Sequence, residues 1–508
     1  DIQKLHVTTC RLGMAPRRIV HCPEGRLFAV GCVESGIKHV GLGGPETNSM
    51  SNCLRFMDDT TFEDIDRVDL EPYETILSMA YVSLTVPQSQ DAPGETQRRF
   101  LMVGTAYVLP DEDEPSRGKI LLYSCEPDGT SAGLKNRQVR PVTELFTQGA
   151  VYSICQFYQG TVLCSVNTKT MLVKLVDDTG VPRLQFLGTG HHGHILSYSV
   201  RSMAEPSITE AIGMGSQQSM SVDRAETKDE EKEMLAIVGD LMRSIGLVQY
   251  YPEHMTLEEV ARDFNPNWTT AVEMLTEDVY LGAENWGNFF CLRRNKAATS
   301  EEVRFRLDSI GEFNLGEMCN KFMRGSLVMP VSASNSSGSN RRTLRRTGTP
   351  QKGSKDSAKA AAASRMQRPV VVTGSQTLFG TSDGTLGVVL GLDSRTAAFF
   401  ACLEKAMSKV IRPVGDFRHD LFRSCKTERR THPAHGFVDG DLVETFVDLD
   451  RHLMETVVKE MNRDGSWEVD DVALRSDENN KETEDENYSI ELTVDDVLSM
   501  VEEITMLH

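Results

Sequence analysis

The cluster His191-His-Gly-His194 could bind a metal ion. Imidazoles this close can hold a transition metal, but no cysteine or carboxylate stands near them to complete a set. The Gly between them reads instead as a polar turn between strands. His432 and His435 flank Pro433, near Glu428 and Asp439. A general acid–base pair there competes with a loop joining helices, and the loop is the plainer reading. Asp111-Glu-Asp-Glu114 lacks the Gly and closing Glu of a calcium loop and reads as an acidic surface. G-x-S-x-G, phosphate-loop and H-E-x-x-H signatures are absent. The expectation is a chain that is not an enzyme, with no cofactor and no metal. What remains is a binding surface. Arg262 and Trp268 flank a Pro-turned segment, Arg262-Asp-Phe-Asn-Pro-Asn-Trp268. Trp and Arg dominate interface hot spots, and Trp268 either belongs to one or packs between sheets.

Such residues must be held by something. The 508 residues exceed one ordinary core, which suggests two or three domains, or a large all-β domain with an appendage. Lys and Arg number 54 against 74 Asp and Glu, a formal charge of −20, which disfavours direct contact with a nucleic-acid backbone. Eleven cysteines with no C-x-x-C pair read as reduced core thiols. No apolar run is long enough to cross a membrane, and charged residues break up any secretory signal at the start. Asp1 in place of Met fits a fragment or a processed piece.

Up to residue 392 the chain reads as short strands separated by Gly, Pro, Asn and Asp. Candidates are 27–32, 75–84, 100–108, 119–125, 150–157, 162–166, 171–176 and 234–238. One unit recurs: an apolar strand reaches a small residue, turns, and a second apolar strand follows. The small residues fall at Gly104, Ser165, Gly239, Gly282 and Gly380. With low-complexity stretches removed, the spacing approaches roughly 40–60 residues, the period of four-stranded propeller blades. A single blade cannot bury both faces, and a ring of them can.

Three polar stretches interrupt the pattern, at about 204–232, 331–368 and 470–486, and read as disordered inserts. The second carries nine Lys or Arg against one acid. Its Arg341–Arg346 run is read as a solvated loop before a nuclear-localisation or phosphorylation signal. From residue 393 the period becomes helical. Phe399, Leu403, Ala406, Met407 and Val410 share a face, and Leu442, Phe446 and Leu449 form another. Thr493 with Asp496 approaches a capping box for a last helix. The expected fold is mainly β, a propeller over 1–392 followed by a helical domain over 393–508.

Several stretches resemble one family. They are Val238–Ser244, Ala261–Trp268, Leu281–Asn285, Gly325–Met329 and Thr427-Glu-Arg, with Gly436–Leu442 shared more widely. Together they resemble the C-terminal half of the damaged-DNA-binding protein 1 family, the large adaptors of cullin-4 ubiquitin ligases. The resemblance implies a seven-bladed propeller, the third of three in the family, followed by the helical domain. It implies docking of WD-repeat substrate receptors, including the subunit that reads ultraviolet lesions, for ubiquitination and excision repair. Cullin-4 would bind through a middle propeller outside this chain. The resemblance implies action in nucleus and cytoplasm, with no direct nucleic-acid or membrane contact. Positions matching the family's receptor cleft are Ala106, Glu112, Glu114, Ala150, Tyr152, Ser153, Leu196, Tyr198, Leu241, Arg243, Arg262, Trp268, Asn285 and Asn320. On this reading Leu241 and Trp268 hold the apolar face of a helix. Arg243 and Arg262 take acidic groups or helix C-terminal carbonyls, and Glu112 and Glu114 take basic ones. The alternative is an RNA-processing scaffold of the same superfamily, of the cleavage and polyadenylation or splicing factor 3b type.

Overall fold

A computed structural model describes residues 9–34, 51–86, 96–126, 139–177, 181–205, 233–326, 376–412, 414–467 and 491–506. The 331–368 and 470–486 stretches lie outside the described residues, as does 204–232 apart from Ala204 and Glu205. The chain divides into two compact units. One takes the described residues up to 310 with 315–324 and 379–385; the other takes 311–314, 325–326, 376–378 and those from 386 onward.

Every strand expected above is present. Among the described residues the strands form successive antiparallel meanders: five four-stranded sheets and a sixth of three strands, a propeller of six blades. Seven blades were the expectation; the described residues supply strands for six. The inner strands are Ala15–Cys22, Glu74–Val86, Val151–Gln156, Ser197–Ser202, Thr269–Met274 and Cys319–Arg324. Each packs on the next in that order. Among the described residues, no packing of that extent joins the sixth to the first. All six contribute to a central cavity of about 1340 Å³.

The recurring small residue now has a physical cause. Gly104, Ser165, Gly239, Gly282 and Gly380 all lie in the second strand of a blade, and Gly31 fills that place in the first. At three of these positions the next blade's inner strand crowds the space a side chain would take. A Cβ on Gly104 would lie 2.6 Å from Val151, one on Gly239 2.8 Å from Val272, and one on Gly31 3.1 Å from Ile76. Strand alternation divides the remaining residues between the two neighbours. Leu101 and Val103 join Leu54 and Phe56 of the first blade, whereas Phe100 and Met102 join Val151 and Ile154 of the third. Similar layers join the third blade to the fourth and the fourth to the fifth.

The second unit is built on helices Ser394–Val410, Arg451–Asp464 and Val494–Thr505. Phe399, Leu403, Ala406 and Met407 pack with Phe446, Val457, Met461, Val497 and Val501. Each helix begins on a side-chain cap: Asp393 to the Thr396 amide, Asp450 to that of Leu453, and Thr493 with Asp496 in a full capping box. No helix among the described residues is long and apolar enough to cross a membrane.

Asp439 is buried in this unit. Its Oδ2 meets His419 Nε2 at 2.8 Å and accepts from Arg423 Nε at 2.6 Å. Burial works to raise this carboxyl's pKa, but those two bonds outweigh it and hold it down at about 2. A lowered carboxyl contributes stability above its ordinary pKa, and that stability is lost as pH falls through the folded value. The contribution is about 2 kcal/mol. In urea unfolding monitored on the helical unit, Asp439→Asn should be less stable than the parent at pH 6. The gap should close as pH falls from about 4 towards 2. A gap independent of pH would contradict the assignment.

Candidate functional site

The fourteen positions singled out in the sequence gather at one end of the propeller, at the starts of inner strands, the ends of second and fourth strands and the turns between second and third strands. Backbone hydrogen bonds lace these segments together. Asn167 N donates to Ala150 O at 3.1 Å and Ser197 N to Asn167 O at 2.9 Å. Leu241 N donates to Leu196 O at 3.0 Å, Ser244 N to Asn267 O at 3.0 Å, and Asn285 N to Trp268 O at 3.1 Å. Leu315 N to Gly287 O, at 2.8 Å, carries the lacing to the last blade.

Two buried carboxylates hold the loops in place. Asp240 accepts from the amides of Ile195 at 2.6 Å, Met242 at 2.9 Å and Arg243 at 3.1 Å. Burial would raise its pKa, but these bonds and His194, 3.6 Å away, lower it below the usual range. One side chain thus fixes Leu196 and Leu241 together. Asp263 accepts from Ser244 Oγ at 2.6 Å and from the Asn265 amide at 3.1 Å, which shapes the turn leading to Trp268. The triplet at 191–194 forms the crossing from the third blade to the fourth. His191 is held towards its neutral form by burial and by His194 beside it.

Trp268 is 47 % exposed, which resolves the alternative left open by the sequence in favour of an open indole. It has company that the sequence did not single out. Tyr73, Val108, Ile195, Met242, Phe264, Trp286 and Met318 are exposed apolar side chains in loops at the same end of the blades. Trp286 is 50 % exposed in the turn beside Asn285. Phe264 leans on Phe305, with ring centroids 6.3 Å apart. Large apolar groups exposed together mark an interaction surface.

The expected residues divide by what they can offer. Tyr152, Tyr198 and Asn320 line the cavity at this end. The Tyr152 phenol is raised by burial and by the Glu114 carboxylate. Glu112 accepts from Ser116 Oγ at 2.8 Å and its amide at 3.1 Å, so part of its acceptor capacity is used. Arg243 is exposed, with one bond at 2.9 Å to Gly193 O. Leu196 and Leu241 are half-buried.

Arg262 differs from the expectation of a cation free to take an incoming group. It is 7 % exposed, donates to both Glu259 oxygens at 2.5 and 2.9 Å, and donates to Gly193 O at 3.0 Å. Its Nε and Nη2 are engaged, and they tie Gly193 of the 191–195 crossing to the fourth blade. Ala106 and Ala150 are fully buried and Ser153 nearly so. The two alanines shape the end without offering side-chain surface, and Ser153 lines the cavity.

A family model described as the CPSF A subunit region matches residues 51–448. The chain belongs to the CPSF A subunit family. Within that family it is similar to DNA damage-binding protein 1a of Arabidopsis thaliana, 35 % identical over 463 residues, covering 91 % of this chain and 34 % of that protein. DNA damage-binding protein 1b of the same plant is 34 % identical over the same shares. DNA damage-binding protein 1 of Oryza sativa subsp. japonica is 33 % identical over 462 residues. The chain spans about a third of the length of these curated relatives, 34 % in each case. The matched stretch takes in all the site loops, from Tyr73 to Asn320, so the family resemblance and the apolar end fall on the same residues.

Proposed function

We propose that this chain is a non-enzymatic adaptor that docks a helical segment of WD-repeat substrate receptors on the laced end of its propeller. The receptors include the ultraviolet-lesion subunit, and the assembly is a cullin-4 RING ubiquitin ligase serving excision repair in nucleus and cytoplasm. Cullin-4 itself would bind through a propeller outside this chain. The observation that carries the reading is the open Trp268 amid exposed apolar neighbours, with Arg243 exposed beside them. An amphipathic helix laid in an apolar groove needs such anchors and a cation for its C-terminal carbonyls. The relatives' names support the damage-response assignment. The family's description leaves an RNA-processing scaffold as the second reading.

Hydrogen exchange tests the docking end. Adding a receptor's helical segment should slow exchange in 241–243, 264–268 and 285–287. It should leave the opposite-end turns at 59–63 and 275–278 unchanged. Protection confined to the opposite end would overturn the reading.

A further inference from the structure

We propose that Glu312, Cys425 and His432 form a site for a borderline transition-metal ion, zinc(II) foremost, in the second unit and independent of the docking reading. Strands Cys425–Lys426 and Thr431–His432 make a tight antiparallel hairpin that sets Cys425 directly across from His432. Its turn is closed by Thr427 N donating to Arg430 O at 2.8 Å. Three residues past the hairpin, His435 makes a two-way backbone bridge to Glu312: Glu312 N to His435 O at 2.8 Å and His435 N to Glu312 O at 2.9 Å. That bridge carries the Glu312 side chain onto the hairpin, where Oε2 lies 2.8 Å from His432 Nε2.

One carboxylate oxygen, one thiol sulfur and one imidazole nitrogen therefore lie within 4.8 Å of one another. Tetrahedral zinc, with bonds of about 2.0–2.3 Å, spaces its ligands by roughly 3.3–3.8 Å. The three groups can reach that spacing by side-chain rotation alone, with the backbone bridge and hairpin left in place. A sulfur, a nitrogen and an oxygen favour zinc or its neighbours over calcium or magnesium, which want oxygen throughout. Cys425 is buried, while His432 and Glu312 are partly exposed, so an ion enters from the solvent side. Three protein ligands leave the fourth corner to water. Binding replaces the His432–Glu312 bond with two metal bonds; the proton on His432 Nε2 gives way to the metal, leaving the neutral ring protonated at Nδ1, and the Cys425 thiol proton is released to solvent, so affinity rises with pH.

Cobalt(II) is the probe, titrated into the chelator-treated full chain carrying Cys10→Ser to remove the exposed thiol. One equivalent should give a thiolate-to-cobalt charge-transfer band, and zinc should displace it. Cys425→Ser should abolish that band, and His432→Ala or Glu312→Gln should weaken binding at least about tenfold. Circular dichroism of the metal-free proteins checks that each variant folds, and His432→Ala carries the test should Cys425→Ser not fold. Absence of the band in the parent overturns the proposal. So does an unchanged band and affinity in Cys425→Ser or, where that variant does not fold, in His432→Ala.

Discussion

Replacing Trp268 with alanine is expected to weaken capture of a receptor helix by about 30-fold to 1,000-fold, or ~2–4 kcal/mol. The estimate follows from the open half of the indole. A Trp side chain buries roughly 150–250 Å² when fully covered, so its free half offers about 100 Å², or ~2.5 kcal/mol of apolar burial. Phe264, Trp286 and Met242 are exposed in loops at the same end and would help exclude water in a complex. Calorimetric titration of a purified receptor segment into parent and variant measures it. Met255→Ala, an exposed apolar residue in the turn between the third and fourth strands of its blade, is the control and should bind as the parent does. Loss of less than about threefold on Trp268→Ala would sink the docking assignment. The melting temperature should stay close to the parent's, since half of this side chain never left water.

The second large effect falls on stability. Arg262→Ala should destabilise the propeller by about 3–5 kcal/mol, the usual result of removing one partner from a buried pair. The variant leaves the Glu259 carboxylate without its two bonds and takes one donor from Gly193 O. Urea unfolding gives the value. The double variant Arg262→Ala, Glu259→Gln separates the causes: if the stranded carboxylate dominates, the double should recover part of the loss. A surface cation would predict almost no change in stability and a direct loss of partner binding.

The strands were legible because half-buried sheets write a period of two into the chain, and blades between two neighbours write apolar runs. The small residues at 104, 165, 239, 282 and 380 gave the repeat because each stands in a blade's second strand, two of them, Gly104 and Gly239, with a neighbouring blade close by. Gly31 belongs to the same series and was missed, since the strand after it lies beyond a polar stretch. Blade number is not written in the local pattern: it depends on which strands find partners, and among the described residues the last sheet has three. Trp268 was identified by type, but its exposure is decided by the loops around it. Arg262 shows the limit most plainly. Its principal anchor outside its own strand is the carbonyl of Gly193, 69 residues earlier, and no local pattern reports that bond. Cys425 likewise reads as one more core thiol until the fold brings Glu312, 113 positions away, to the same hairpin.

The lacing of the loops has a consequence for who bears the cost of association. Segments pinned by backbone bonds and by Asp240 and Asp263 have little freedom left to surrender. The entropy lost on complex formation must then come mainly from the guest, as its own chain winds into a helix. Partners of equal greasiness would thus be ranked by how readily they coil before arrival, so that selectivity is written as much in the visitor's alanines and caps as in the host.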